Sequence, residues 1–245
     1  MSEHTELKIN PNRKFLRPEK LPHFFCSGCG CGQVLNYYTQ ALDELGMDPE
    51  KMVHIAGVGC TARIPVYIKT DMFHGVHGRT LAWATGVKLM QPDTPVVIFA
   101  GDGDIASIGG NHLIHAARRN LDVTVVMVNN LNFAMTGGQV APTTPEEVRT
   151  MTTPYGNEEP RFDVCELAKA AGASHVERWS TAKPVQCKQA FKTGDPNAVI
   201  AWIKENTYTE AEGKNKSAEE LEGKLRLGQY ICMDKPIYSG TSELR

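Results

Sequence analysis

No run among the 245 residues approaches the ~20 consecutive apolar positions that a bilayer-spanning helix needs, which argues against a helical membrane protein. The opening segment MSEHTELKINPNRKFLRPEK lacks the apolar stretch of a signal peptide, so a cytoplasmic location is expected. Neither sign of charge is in surplus: 26 Lys and Arg stand against 28 Asp and Glu, a net charge of −2. The basic residues are also spread along the chain, so no nucleic-acid partner is expected. No internal repeat is visible. A disulfide framework is missing too, because the seven cysteines are odd in number, and Cys26, Cys29, Cys31 and Cys60 crowd the N-terminal quarter. In a reducing compartment such clustering points to metal or redox work.

What the chain does contain is an alternation of apolar strands and amphipathic helices, long enough for one domain with appendages. Residues 1–22 are polar and proline-punctuated and read as an extended arm. In residues 34–45, Val34, Leu35, Tyr38, Ala41, Leu42 and Leu45 recur at helical spacing, and Gly46 supplies the stop. Met52 to Gly57 reads as a short strand, Arg79 to Met90 as a mostly apolar helix, and Val96 to Ala100 as a buried parallel strand. A helix from Gly110 to Arg119 and a β-branched strand from Val123 to Val128 complete a βαβ unit. Residues 131–161, with Gly137, Gly138 and four prolines, form a long loop, a feature uncommon unless functional or mobile. A helix capped by Asp163, a strand near Ser174 to Trp179 and a helix near Lys183 to Lys192 follow. Residues 205–223 are charged and read as a linker and surface helix, with Ser217 and Glu220 spaced as a capping box.

The chemistry is concentrated where the βαβ unit turns, at Gly101-Asp102-Gly103-Asp104. A glycine-rich loop at a helix start binds phosphate through its backbone N–H groups, yet the Asp102 carboxylate would repel that phosphate. A hard divalent cation resolves the conflict, since it neutralises a diphosphate while taking oxygen ligands from protein. Asp102 is then a ligand to Mg²⁺. Octahedral coordination needs more oxygens, and 25 residues separate Gly103 from Asn129, a length that brings a parallel βαβ unit back to the same sheet edge. There Asn130 can offer its amide oxygen and Asn132 a backbone carbonyl. A Gly-Asp-Gly turn and an Asn-Asn loop are each common alone; their separation, at the ends of two apolar strands, gives them weight. Upstream, Phe25 to Gly30 is a C-x-x-C loop whose glycines let the backbone wrap a bound group. Spacing alone leaves zinc and an iron-sulfur cluster equal as occupants.

The Gly-Asp-Gly and Asn-Asn pair resembles the thiamine diphosphate fold. More closely, GDGDIASIGGNHLIHAARRN, NNLNFAMTGGQVAPTTP and FCSGCG together resemble the β subunit of 2-oxoacid:ferredoxin oxidoreductases over residues 23–192. The resemblance implies an α/β thiamine diphosphate-binding fold, a parallel sheet flanked by helices. It places the domain at residues 23–204, including the cysteine loop, and leaves residues 205–245 as a C-terminal extension. It implies thiamine diphosphate, Mg²⁺ and a [4Fe-4S] cluster on Cys26, Cys29 and Cys60, with Cys31 as an extra cysteine. The Gly101 to Asp104 turn and Met135, Thr136 and Gly137 are then expected at the cofactor. His77, in FHGVHGR beside His74, is expected to face it as a catalytic residue, and Arg63 to hold a substrate carboxylate bidentately. Asn111, His112 and His115, on the following helix, read as packing or surface residues.

The implied activity is oxidative decarboxylation of a 2-oxo acid with coenzyme A as acyl acceptor, electrons passing through the cluster to ferredoxin, or the reverse carboxylation. The GGNHLIHAARRN and CGCGQV wording leans to 2-oxoglutarate over pyruvate. A separate α subunit is implied, in an αβ or (αβ)₂ assembly, because this chain is too short for a second thiamine-type domain. A non-redox thiamine diphosphate decarboxylase or synthase subunit with structural zinc is the alternative, and a non-catalytic scaffold a third reading. One departure from the family is plain: its Cys-Pro-Thr segment, source of a fourth cluster ligand, is absent. Cys165 and Cys187 are weak substitutes in helical settings. CKQAFK also runs straight into TGDPNAVIAWIKEN, with no room for an intervening strand, so missing residues at Lys192–Thr193 are expected.

Overall fold

A computed structural model describes residues 11–193 and 229–234. Six parallel strands build one sheet: β1 (Val53–Ala56), β2 (Asp71–His74), β3 (Val96–Gly101), β4 (Thr124–Asn129), β5 (His175–Ser180) and β6 (Gln229–Asp234). Their order is β2-β1-β3-β4-β6-β5. The helices are α1 (Gly30–Leu45), α2 (Thr80–Met90), α3 (Gly110–Arg118), α4 (Val164–Ala170) and α5 (Pro184–Thr193).

The period of two along a strand splits the side chains of β3 and β4 between two cores. Val97, Phe99, Val126 and Val128 pack with α1 and α5 on one face. Val96, Ile98, Ala100, Val125 and Met127 pack with α2, α3 and α4 on the other. That double covering is why both strands read as continuous apolar runs rather than alternating ones. Helix α1 buries Val34, Leu35, Tyr38, Ala41 and Leu42, and ends where Gly46 adopts φ 66°, a left-handed conformation that costs glycine little. Helix α4 begins where the Asp163 carboxylate accepts the Glu166 N–H at 3.1 Å.

Two expectations change. Residues 11–22 are docked rather than a free arm: Arg17 N–H donates to the Tyr67 carbonyl and Lys69 N–H to the Phe15 carbonyl, both at 2.8 Å. Phe15, Leu16 and Leu21 pack on the first core, which supplies the apolar contact that a polar-looking segment conceals. The segment read as a C-terminal extension contributes β6, paired in register between β4 and β5, so part of it belongs to the sheet. Helix α5 runs through Lys192 and Thr193, whose hydroxyl donates back to the Ala190 carbonyl at 2.9 Å. The capping box at Ser217 and Glu220 lies outside the described residues. No helix among the described residues is long and apolar enough to cross a membrane.

Candidate functional site

The chain leaves β1 for its neighbour β2 and returns through α2 to β3 on the other side of β1. The carboxyl ends of β1 and β3 therefore flank a crevice, the place where open α/β sheets bind ligands. A cleft opens there. Its walls come from four strand ends: Val58 to Thr61 after β1, His77 after β2, Gly101 to Asp104 after β3, and Asn130 with Asn132 to Thr136 after β4.

The turn after β3 is a π-helical segment, Gly103–Ile108, in which the Gly109 N–H reaches the Asp104 carbonyl at 2.9 Å. Nothing in the sequence marks this wide turn, which favours functional sites because it re-aims side chains. Asp102, at its head, is 1% exposed. Burial pushes its carboxyl pKa up, opposed by the Thr143 hydroxyl, which donates to Oδ2, and by the Asn130, Asp102 and Gly103 backbone N–H groups. The Asn130 amide admits two placements. In one, Nδ2 donates to Asn132 Oδ1 at 3.1 Å, while Oδ1 lies 2.6 Å from Asp102 Oδ1 and 3.2 Å from the Asn132 carbonyl oxygen. In the other, the amide nitrogen takes that point and donates to both oxygens. The first placement brings three protein oxygens together at the cleft, the donor set of a hard cation; the second is the hydrogen-bonded arrangement without one.

Glycines shape the rest. A Cβ at Gly103 would collide with the Phe133 ring, and one at Gly57 with the Asp104 carboxylate. Asp104 is 2% exposed; its Oδ1 accepts the Gly78 N–H at 2.6 Å, and His77 Nδ1 lies 2.5 Å away. Burial raises the Asp104 pKa as well, partly offset by the Gly78 N–H and by His77. The long loop is tied down by its own polar groups: Thr144 donates to the Leu131 carbonyl at 2.6 Å, and the Asn157 amide to the Thr144 and Glu159 carbonyls.

Gly101, Asp102, Gly103, Asp104, Asn130, Asn132, Met135, Thr136, His77 and Cys60 thus share one cleft. Gly137 is exposed beyond its rim, at φ 113°. Arg63 is also exposed and does not line the cleft; its charge, after burial, helps hold the His74 imidazole pKa down. Of the cysteines, Cys29 and Cys60 pack on the first core while Cys26 is exposed. Among the described residues, no three His, Cys, Asp or Glu side chains are gathered as metal ligands. Cys165 sits in the opposite core. Cys187 faces α1, where its thiol donates to the Ser180 carbonyl at 3.1 Å and burial pushes its pKa up to about 11. His112 accepts from the exposed Arg79 guanidinium at 2.6 Å, and neither residue lines the cleft. Sequence reading missed Thr143 and Phe133: their roles depend on a loop that crosses back over the turn after β3, and neither residue type signals it.

Residues 54–201 match the family model of the thiamine pyrophosphate enzyme C-terminal TPP-binding domain. The chain is 42% identical over 256 residues to the 2-oxoglutarate synthase subunit KorB of Methanocaldococcus jannaschii, covering 94% of this chain and 95% of that one. A second relative is the 2-oxoglutarate oxidoreductase subunit KorB of Mycobacterium tuberculosis, 45% identical over 154 residues, 63% of this chain and 41% of its own length. Among solved structures, a 2-oxoglutarate:ferredoxin oxidoreductase from Magnetococcus marinus, with 2-oxoglutarate, coenzyme A and succinyl-CoA bound, superposes with a TM-score of 0.74. That match has 30% identity and covers 94% of this chain and 69% of the other. With its parallel sheet and the turn after β3 where the family model places the cofactor domain, the chain belongs to the β subunits of the 2-oxoacid:ferredoxin oxidoreductases, among the 2-oxoglutarate synthase KorB chains.

Proposed function

We propose that this chain is the catalytic β subunit of a 2-oxoglutarate:ferredoxin oxidoreductase, converting 2-oxoglutarate and coenzyme A to succinyl-CoA and CO₂ while reducing ferredoxin, or running the reverse carboxylation. The observation that carries the reading is the meeting of the Asp102 carboxylate, the Asn130 amide and the Asn132 carbonyl in a cleft walled by a glycine-rich turn, three groups whose oxygens converge when the amide takes its first placement. Those oxygens would hold Mg²⁺, and the cation would hold a diphosphate that Asp102 alone would repel. Gly101 and Gly103 leave the backbone bare on that side, and Phe133 fills the space a Gly103 Cβ would take. When bound, thiamine diphosphate supplies the electron sink for breaking the bond between the carboxylate and keto carbons.

His77 is the titratable side chain that enters the cleft from the β2 side, and we assign it the catalytic contact with substrate. Met135 and Thr136 line the same cleft, and Arg63, exposed and outside its lining, is assigned to the substrate carboxylate. Cys26, Cys29 and Cys60 are assigned to a [4Fe-4S] cluster; Cys60 lines the cleft, so a cluster held by it would lie beside the cofactor. The relatives' names favour 2-oxoglutarate over pyruvate, and their designation as subunits favours an α partner. The structural neighbour's bound coenzyme A supports the acyl acceptor.

The test is Asp102→Ala in the assembled αβ complex. It should lose thiamine diphosphate binding and 2-oxoglutarate-dependent dye reduction together, and a variant that keeps both would refute the assignment. Metal analysis of anaerobically purified protein separates the redox reading from its rival: iron with a dithionite-bleached spectrum is expected, whereas zinc without iron would place the chain among non-redox thiamine diphosphate enzymes.

A further inference from the structure

Among the described residues, two buried polar atoms beside the cleft, His77 Nδ1 and Asp104 Oδ2, have no well-aligned hydrogen-bond partner. They belong to adjacent groups, since His77 Nδ1 is 2.5 Å from the other oxygen of the same carboxylate. A buried donor and a buried acceptor left unmade side by side cost free energy that a small turn of the imidazole recovers. The fold invests in this placement. Asp104 hangs from the π-turn after β3; Gly57, at the end of β1, lacks the Cβ that would displace the carboxylate. Gly78, at φ 74°, aims its N–H at Oδ1, so the peptide following His77 is anchored by the same group.

Exposure separates the two residues by role. The Asp104 side chain is 0% exposed, whereas the His77 side chain is 29% exposed. We infer that Asp104 is the positioning residue of His77: its carboxylate takes the Nδ1–H, fixes the ring's tautomer and orientation, and leaves Nε2 facing the cleft. The Phe133 ring, 6.0 Å from the imidazole centroid at 60°, bounds the ring on the loop side. In that tautomer Nε2 is a hydrogen-bond acceptor. This rests on the reading of His77 as the catalytic contact, and it moves Asp104 from direct cofactor binding to action through that histidine.

The experiment compares Asp104→Asn, His77→Gln and the double variant in the assembled αβ complex. It measures kcat and KM for 2-oxoglutarate, thiamine diphosphate affinity by fluorescence titration, and thermal midpoint. Asparagine removes the negative charge that favours Nδ1–H and leaves a single oxygen, or its NH₂, where the Gly78 N–H and Nδ1 both approach the same carboxylate oxygen. A comparable exchange in a carboxylate-histidine pair lowers kcat by about 10⁴. Asp104→Asn should lower kcat about 100-fold or more, with KM and cofactor affinity within about threefold, and the double variant should be no worse than His77→Gln. Gly57→Ala pushes the carboxylate aside without removing it. It should reproduce the kcat loss, and adding it to His77→Gln should cost nothing further, which keeps the test available if Asp104→Asn does not assemble. Losses that multiply in the double variant, an Asp104→Asn kcat near wild type, or weakened cofactor affinity would each overturn the inference. If His77→Gln itself keeps kcat, the catalytic reading of His77 falls, and the pairing with it.

Discussion

Acid should destabilise this protein through His54, a histidine remote from the chemistry. Its ring is fully buried in β1, with Nε2 2.7 Å from the Tyr38 hydroxyl and Nδ1 2.6 Å from Thr70 Oγ1. Thr70 donates onward to the Met52 and Asp71 carbonyls, so Nδ1–H must donate to Thr70 and Nε2 must accept from Tyr38. Both nitrogens are committed in the neutral ring, and among the described residues no carboxylate pairs with it. Burial pushes the His54 pKa from 6.5 down to about 3. The unfolded chain binds that proton below about pH 6.5 and the folded chain does not, so stability is full above that pH and declines as pH falls toward 3. At about 1.4 kcal/mol per pH unit, roughly 2 kcal/mol is lost by pH 5, and on the order of 4 to 5 kcal/mol in all. Against a typical net stability of about 5 to 15 kcal/mol, that loss is readily measured. Urea unfolding of wild type and His54→Gln at pH 7.5, 6 and 5 isolates the effect, since other groups titrate in both. The gap between the two proteins should narrow by roughly 2 kcal/mol across that range; parallel pH profiles would refute the reasoning.

Two further changes probe the cofactor and cluster assignments. Cys60→Ser should strip iron from anaerobically purified protein, whereas Cys187→Ser, at a thiol already bonded to the Ser180 carbonyl, should leave iron content unchanged. Iron loss from Cys187→Ser would make it a ligand after all. Gly103→Ala should drive the Phe133 ring into the cleft and weaken thiamine diphosphate binding at least about tenfold, at a stability cost of about 1 to 3 kcal/mol. Isothermal titration with Mg²⁺ present checks it, and unaltered affinity would count against that turn as the diphosphate site.

Where the sequence was legible, a local rule governed. The double-sided burial of β3 and β4 shows as unbroken apolar runs, the α1 stripe shows as helical spacing, and Gly46 and Asp163 mark helix ends by their own backbone and capping chemistry. Asp102 and Asn130 were legible because a carboxylate in a phosphate loop contradicts itself unless a cation is added. Where a partner lies far along the chain, legibility ended. Thr143 bonds a carboxylate 41 residues away, and Arg17 and Phe15 dock on residues 50 or more positions distant, so no local pattern carries either contact. The placement of β6 inside the sheet is likewise a matter of pairing between strands, which composition does not record.

By itself, then, the sequence determined the alternation of strands and helices, the turn chemistry at Gly101 to Asp104 and the oxygen donors expected to answer it. These follow from periodicity and from the charge of individual side chains, which act over a few residues. Only the tertiary structure decided which groups share the cleft. It brought His77 from β2 against Asp104 from β3, admitted that contact through the missing Cβ of Gly57, and left Arg63 outside. The physical reason is that strand order at a sheet's carboxyl edge is set by hydrogen-bonded pairing and core packing among distant segments, and proximity created that way has no signature in local sequence.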